Sequence, residues 1–314
     1  MEDQYSFSAN DIVMSNIHSY SVKLSLAEEQ KICELAEIAS ETADFIQSML
    51  KDGLELYEIF SMLSDAFALD TEGVNRDDLC AFHVDAFSKI SGIFDKAVFS
   101  AVLLERLNLR GLSISEKSFF DASPDDETFV YLKNQLADEA YDVFSQDFAD
   151  PRVKYVNSFR EGIRLIGDNS ATFCILPIEE GGVRLPTVEE LIFRSDSKIN
   201  SVIPVFGYDG NADLKYALVS KNIYISDYSE DDDRYFEIRV SSDSESMSAL
   251  MICAENLGVK VFRVNTLNFK TEDGDTCYFS LVLKSTRGDF TSLLVFLSLF
   301  YSEYIPVGIY KNLE

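Results

Sequence analysis

The chain has 314 residues, 46% of them hydrophobic, with 27 basic and 54 acidic side chains and a formal net charge of −27. Such a charge argues against binding to nucleic acid or anionic membrane surfaces, both of which depend on basic patches. No run of about 18 apolar residues is present to span a bilayer, and no basic-plus-apolar N-terminal signal is seen, so a cytoplasmic protein is expected. Five scattered cysteines, none in CxxC spacing, are expected to be reduced core thiols. Two histidines, His18 and His83, exclude a histidine-rich metal site, and no metal or other cofactor is expected.

Residues 1–22 read as a flexible N-terminus and 23–110 as a helical domain. A first helix over Lys23–Leu50 carries Leu24, Leu26, Ile32, Leu35, Ile38, Ala43, Ile46 and Leu50 at roughly helical spacing, with Ser25 as cap and Glu28 as its reciprocal partner. A second helix fits Leu54–Phe67. A third runs from about Arg76 to Leu107, with Leu79, Phe82, Phe87, Ile90, Phe94, Val98 and Leu103 on a broad apolar face. Three such helices serve either as a bundle or as a dimerisation arm.

A linker over 111–127 contains the turn Ser123-Pro124-Asp125-Asp126. Over 128–226 short strands alternate with helices: strand Thr128–Leu132, helix Gln135–Phe144, strand Lys154–Val156, helix Phe159–Ile166, strand Ala171–Pro177, helix Val188–Phe193, then strands Val202–Phe206 and Lys215–Ser220. This alternation predicts a three-layer α/β unit. The unbroken apolar run from Ala171 predicts a strand buried on both faces, as in a parallel sheet under helices. Glu179 to Gly182 would then lie beyond its carboxyl end, where ligand sites of open α/β sheets sit. An acidic linker over 227–234 leads to a region, 235–314, that reads βαββαβ, the ferredoxin-like order, with Asp273-Gly274 as a hairpin signal.

The segment 154–192 resembles the first lobe of prephenate dehydratases. Tyr155-Val156 followed by Ser158-Phe159-Arg160-Glu161 is similar to the family's strand and helix. Ala171 to Glu179 is similar to its hallmark strand ending Leu176-Pro177-Ile178-Glu179, and Leu185 to Ile192 to the helix after its substrate loop. The order of segments resembles the bifunctional chorismate mutase/prephenate dehydratases, whose C-terminal regulatory module is an ACT domain. The resemblance implies an α+β multidomain fold: an N-terminal helical domain, one α/β dehydratase-like (periplasmic-binding-protein-like) lobe, and a ferredoxin-like ACT-like domain. It also implies phenylalanine biosynthesis, a small ligand that is an aromatic amino acid or prephenate-like molecule, and a homodimer formed through the ACT-like or the helical domain.

The resemblance places the site residues as well. Glu179 and Lys215 are the catalytic candidates; Glu180, Gly181, Gly182 and Arg184 occupy the substrate loop; Ala249, Leu250, Asn265 and Thr266 occupy the regulatory-ligand positions. From the residues themselves, Arg184 and Lys215 read either as a shared anion site or as surface charges, and Glu179 with Glu180 either as an acid/base pair or as capping or solvated carboxylates. Gly181-Gly182 reads as a tight turn. Departures from the family are marked. The loop lacks the family's amide, its first strand lacks the glycine-rich turn, and Leu214-Lys215-Tyr216 stands where the family has Thr-Arg-Phe. Leucine moves no proton. A short connection, Pro204 to Leu214 with the turn Asp209-Gly210, stands where the family inserts a second lobe. The first 75 residues hold no arginine, only Lys23, Lys31 and Lys51, which leaves mutase chemistry without the cations its dicarboxylate transition state needs. The expected function is therefore a ligand-sensing or regulatory pseudoenzyme. The alternatives are an active prephenate dehydratase, or mutase/dehydratase, with a reworked site, and an acidic protein-interaction scaffold.

Overall fold

The computed structural model describes residues 26–68, 86–121, 124, 126–206, 214–225, 233–241, 247–271, 274–285, 289–301 and 303–311. In chain order the helices and strands begin with α1 (Leu26–Lys51), α2 (Leu56–Phe67), α3 (Ile93–Leu109), β1 (Thr128–Leu132), α4 (Gln135–Phe144), β2 (Arg152–Val156) and α5 (Phe159–Gly167). Next come β3 (Phe173–Glu180), β4 (Val183–Arg184), α6 (Pro186–Arg194), β5 (Lys198–Val205) and β6 (Leu214–Ser220). The last are β7 (Arg234–Ser241), α7 (Met247–Asn256), β8 (Val259–Thr271), β9 (Gly274–Ser285), α8 (Thr291–Phe300) and β10 (Ile305–Lys311). They group into two compact units. One draws on 1–118, 246–257 and 291–302, the other on 119–245, 258–290 and 303–314. Among the described residues no helix is long and apolar enough to cross a membrane.

The first unit is helical. Its core holds Leu35, Ile46, Ile59, Leu63, Phe99, Leu103 and Leu107. Phe67 stacks on Phe87 with ring centroids 3.8 Å apart and meets Phe99 and Phe300 edge-on at 5.6 and 4.4 Å. Arg110, just past α3, ties that helix to α1 by donating to the Asp44 carboxylate at 2.6 Å and to the Ser40 carbonyl at 2.9 Å. The expected third helix is corrected in its described part. Phe87 is still helical, a turn at 88–89 interrupts the helix, and Ile90 is buried in the break before a new helix starts at Ile93, where the Gly92 N–H donates to the Asp95 carboxylate at 3.2 Å. Residues 76–85, Ser25 and both histidines lie outside the described residues. Cys33 is also a correction, since it is exposed rather than part of the core.

The second unit holds two sheets. The first has the order β2-β1-β3-β6-β5, with β4 paired to β3. Its β1–β2 and β1–β3 pairs are parallel, but β3–β6 and β5–β6 are antiparallel. The expected parallel sheet is thus mixed. The short segment 206–213 joins β5 to β6, and only an antiparallel return closes over so few residues, whereas a parallel one needs a crossover. Burial of β3 on both faces follows its period of two. Phe173 and Ile175 enter one core with Phe129, Tyr131, Ala140 and Phe144, while Cys174, Leu176 and Ile178 enter another with Ile163, Ile166, Val188 and Ile192. Pro177 lacks a donor and sits beside a register shift, with β1 paired to β3 only as far as Ile175.

The second sheet has the order β10-β7-β9-β8, every neighbouring pair antiparallel, and its chain order is βαββαβ. Its Tyr235, Val282, Val307 and Tyr310 join the core of Leu176 and Ile178, so the two sheets share apolar material. At their edges β5 and β10 come very close. A Cβ on Gly308 would lie 2.0 Å from the Ile199 carbonyl oxygen and 2.8 Å from its carbon, and the Lys198 ammonium donates to the Pro306 carbonyl at 3.0 Å. Backbone cannot yield as a side chain does. Gly308→Ala is therefore expected to lower stability by roughly 1–3 kcal/mol or more, read as a reduced urea midpoint; an unchanged midpoint would show that the strands part without cost.

Candidate functional site

Strand β3 does not end where the apolar run ends. Its partner β6 carries it on through Glu180, and β4 folds back on it with the pairs Glu179↔Arg184 and Glu180↔Val183. Gly181 and Gly182, at φ +57° and +77°, form the two-residue hairpin turn between them, a conformation that residues with a Cβ resist. The expected position of Glu179 beyond a strand end is thereby corrected. Glu179 is inside the ladder, with Arg184 opposite on β4 and Lys215 opposite on β6. Directly opposed residues share a sheet face, so one carboxylate is flanked by two cations.

Glu179 is 5% exposed. Its Oε2 accepts from Arg263 Nη1 of β8 at 2.7 Å, and its Oε1 lies 3.6 Å from Lys215 Nζ. Burial pulls this carboxyl up, but the Arg263 hydrogen bond, with the charges of Arg263, Lys215 and Arg184, outweighs it and holds the group below the usual glutamate value. Arg184 is engaged elsewhere. Its Nη2 donates to Glu237 Oε2 on β7 at 2.7 Å and reaches the Tyr310 hydroxyl of β10 at 3.4 Å. Tyr310 donates to the same carboxylate oxygen at 2.9 Å, and Ser280 of β9 donates to the other at 3.0 Å. Burial raises Glu237, and Arg184, Arg239 and these hydroxyls more than reverse the shift. Arg184 and Lys215, read as a shared anion site or as surface charges, each face a carboxylate of the protein itself.

Two spaces adjoin these charges. A cavity of about 30 Å³ lies among Glu179, Arg184, Lys215, Arg263, Tyr235 and Tyr310, room for one water and far below a small-molecule site. A groove of about 520 Å³ runs between the β3–β4 hairpin, the start of α6 and β8. It brings together Gly182 and Arg184 of the expected substrate loop with Asn265 and Thr266 of the expected regulatory set. Glu180 and Gly181 are exposed at the hairpin tip. Ala249 and Leu250 lie on α7 in the other compact unit, with Leu250 1% exposed. Among the described residues no group of three or more His, Cys, Asp or Glu side chains is placed to hold a metal ion.

Sequence reasoning missed Glu189, Glu237, Arg263 and Tyr310. Glu237 and Arg239 alternate with Phe236, Ile238 and Val240 in a strand that is buried from Arg234 to Val240. A charged face inside so apolar a run is the signal that paired buried ions were required. Nothing local named the partners of Glu237, which come from β4, β9 and β10.

Arg184→Met is expected to destabilise the fold by about 3–5 kcal/mol, because it leaves Glu237 buried without its main countercharge; adding Glu237→Leu recovers a large part of that loss. Chemical denaturation of both variants measures this, and a single mutant with unchanged stability would show the pair to be idle. Glu179 and Glu237 have lowered values when folded. Their contribution is therefore complete above the ordinary glutamate value of 4.5 and is lost as pH falls through the folded values.

No protein-family model matches the chain, and no curated protein matches it. Among solved structures it is similar to prephenate dehydratase from Streptococcus mutans, at 13% identity over 60% of this chain and 100% of the other, with a TM-score of 0.48. It is similar to prephenate dehydratase from Arthrobacter aurescens in complex with L-Phe, at 13% identity over 58% and 89% of the two chains, TM-score 0.42. A third similar structure is GqqA, described as a novel type of quorum quenching acylase, at 14% identity over 59% and 95%, TM-score 0.43.

Proposed function

We propose that the chain is a divergent relative of prephenate dehydratase whose dehydratase-like lobe does not dehydrate prephenate and which acts by binding a small ligand, as a regulatory pseudoenzyme. The observation that carries this reading is the state of Glu179. Its carboxylate is almost fully buried, both oxygens face cations of the protein, and the space beside it admits no more than a water. Prephenate would have to displace Arg263 before touching it. Leu214, opposite Glu180 on β6, supplies no hydroxyl to the leaving group. Direct β5–β6 pairing supports the loss of the second lobe that would otherwise close a cleft.

In this reading residues 23–110 are the helical domain and 235–314 the ACT-like module. Homodimerisation through the latter is supported by β8, the edge strand of its sheet, where Phe262 is 53% and Val264 41% exposed. The test is prephenate turnover by the purified full chain. Wild type, Glu179→Gln and Lys215→Ala are all expected to leave prephenate decaying at its spontaneous rate. Turnover well above that rate, lost in either variant, would overturn the proposal in favour of an active dehydratase.

A further inference from the structure

Four charged side chains line the 520 Å³ groove: Arg184, Glu189, Glu190 and Arg263. Three are already answered within the protein. Arg184 binds Glu237 at 2.7 Å, Arg263 binds Glu179 at 2.7 Å, and Glu190 accepts from Arg194 at 2.9 Å. Glu189 differs. It is 8% exposed, and among the described residues it makes no hydrogen bond and has no cationic nitrogen within 4.0 Å. The charged groups facing it are Arg184 on β4, Glu237 and Arg239 on β7 and Arg263 on β8. Burial raises its carboxyl, and those arginines, opposed by Glu237, do not bring it back to the usual value. Arg239 sits over the Phe193 ring at 5.3 Å and does not line the groove.

A mostly buried side chain whose carboxylate has no donor in the protein and opens onto a space of ligand size marks where an outside donor completes the site. An anion would have to take Arg184 or Arg263 from its present carboxylate, whereas a cation meets an unclaimed one. We propose that the groove binds a small molecule carrying a primary ammonium group and an apolar body, with Glu189 receiving the ammonium and Val183 and Pro186 flanking the apolar part. The site does not depend on whether prephenate is turned over.

The test is calorimetry and thermal shift on the full chain with 2-phenylethylamine, using 3-phenylpropionate as an anion of similar shape. The amine is expected to bind and raise the melting midpoint, and the anion to do neither. Affinity for the amine is expected to fall tenfold or more in Glu189→Gln. It should also fall between about pH 8 and about pH 4.5, where the ammonium stays charged and the Glu189 carboxylate, raised by burial, takes up its proton. Glu189→Gln removes a buried unpaired charge and is expected to melt higher than wild type. Should it fail to fold, the pH series on wild type decides alone. An amine that does not bind, binds Glu189→Gln as well, keeps its affinity across that pH range, or is matched by the anion would overturn the site.

Discussion

A carboxylate that is 1% exposed, Glu237, sets the terms for the second compact unit. Taking an ion out of water costs several kcal/mol even after relaxation, so its neighbours are constrained in number and direction. Arg184 supplies the countercharge, and Tyr310 and Ser280 supply hydroxyl donors. Those three groups stand on β4, β10 and β9. One buried charge thereby ties the hairpin of the first sheet to three strands of the second. Beside it, Glu179 of β3 and Arg263 of β8 make a second link between the same sheets. Apolar packing brings the sheets together, and the ion pairs fix which residues face each other.

The same links decide the chemistry open to the Leu176-Pro177-Ile178-Glu179 stretch. A catalytic carboxylate needs access to substrate and freedom to exchange a proton. Glu179 has two cationic neighbours, a lowered pKa and little exposure, all of which favour a structural group that is ionised at neutral pH. Polar residues that resemble an active site in sequence are here the material of a sheet-to-sheet contact. The room for a ligand lies to one side, between α6 and β8, where Glu189 remains unanswered.

Much of this was legible in the chain. Period-two burial of β3 follows from its unbroken apolar run, the βαββαβ order of the C-terminal region from its alternating pattern, and the Gly181-Gly182 turn from the glycine pair alone. What local pattern could not carry was anything set by distant partners. The direction of β6, and hence the mixed sheet, depends on a short connection whose consequence is topological. The fate of Arg184 depends on Glu237 and Tyr310, which are separated from it by 53 and 126 positions. Glu189 reads as an ordinary acidic residue in the first turn of a helix, and only the packing of β7 and β8 against it reveals its burial.

Arg263 holds Glu179 as a structural ion. A double-mutant cycle of Glu179→Gln and Arg263→Gln, followed by urea unfolding at neutral pH, tests it most directly. A coupling free energy of about 1–3 kcal/mol is expected, since the two groups share one short, mostly buried hydrogen bond. Additive effects within about 0.3 kcal/mol would show that Arg263 does not hold Glu179 and return it to the set of groups free to meet a substrate.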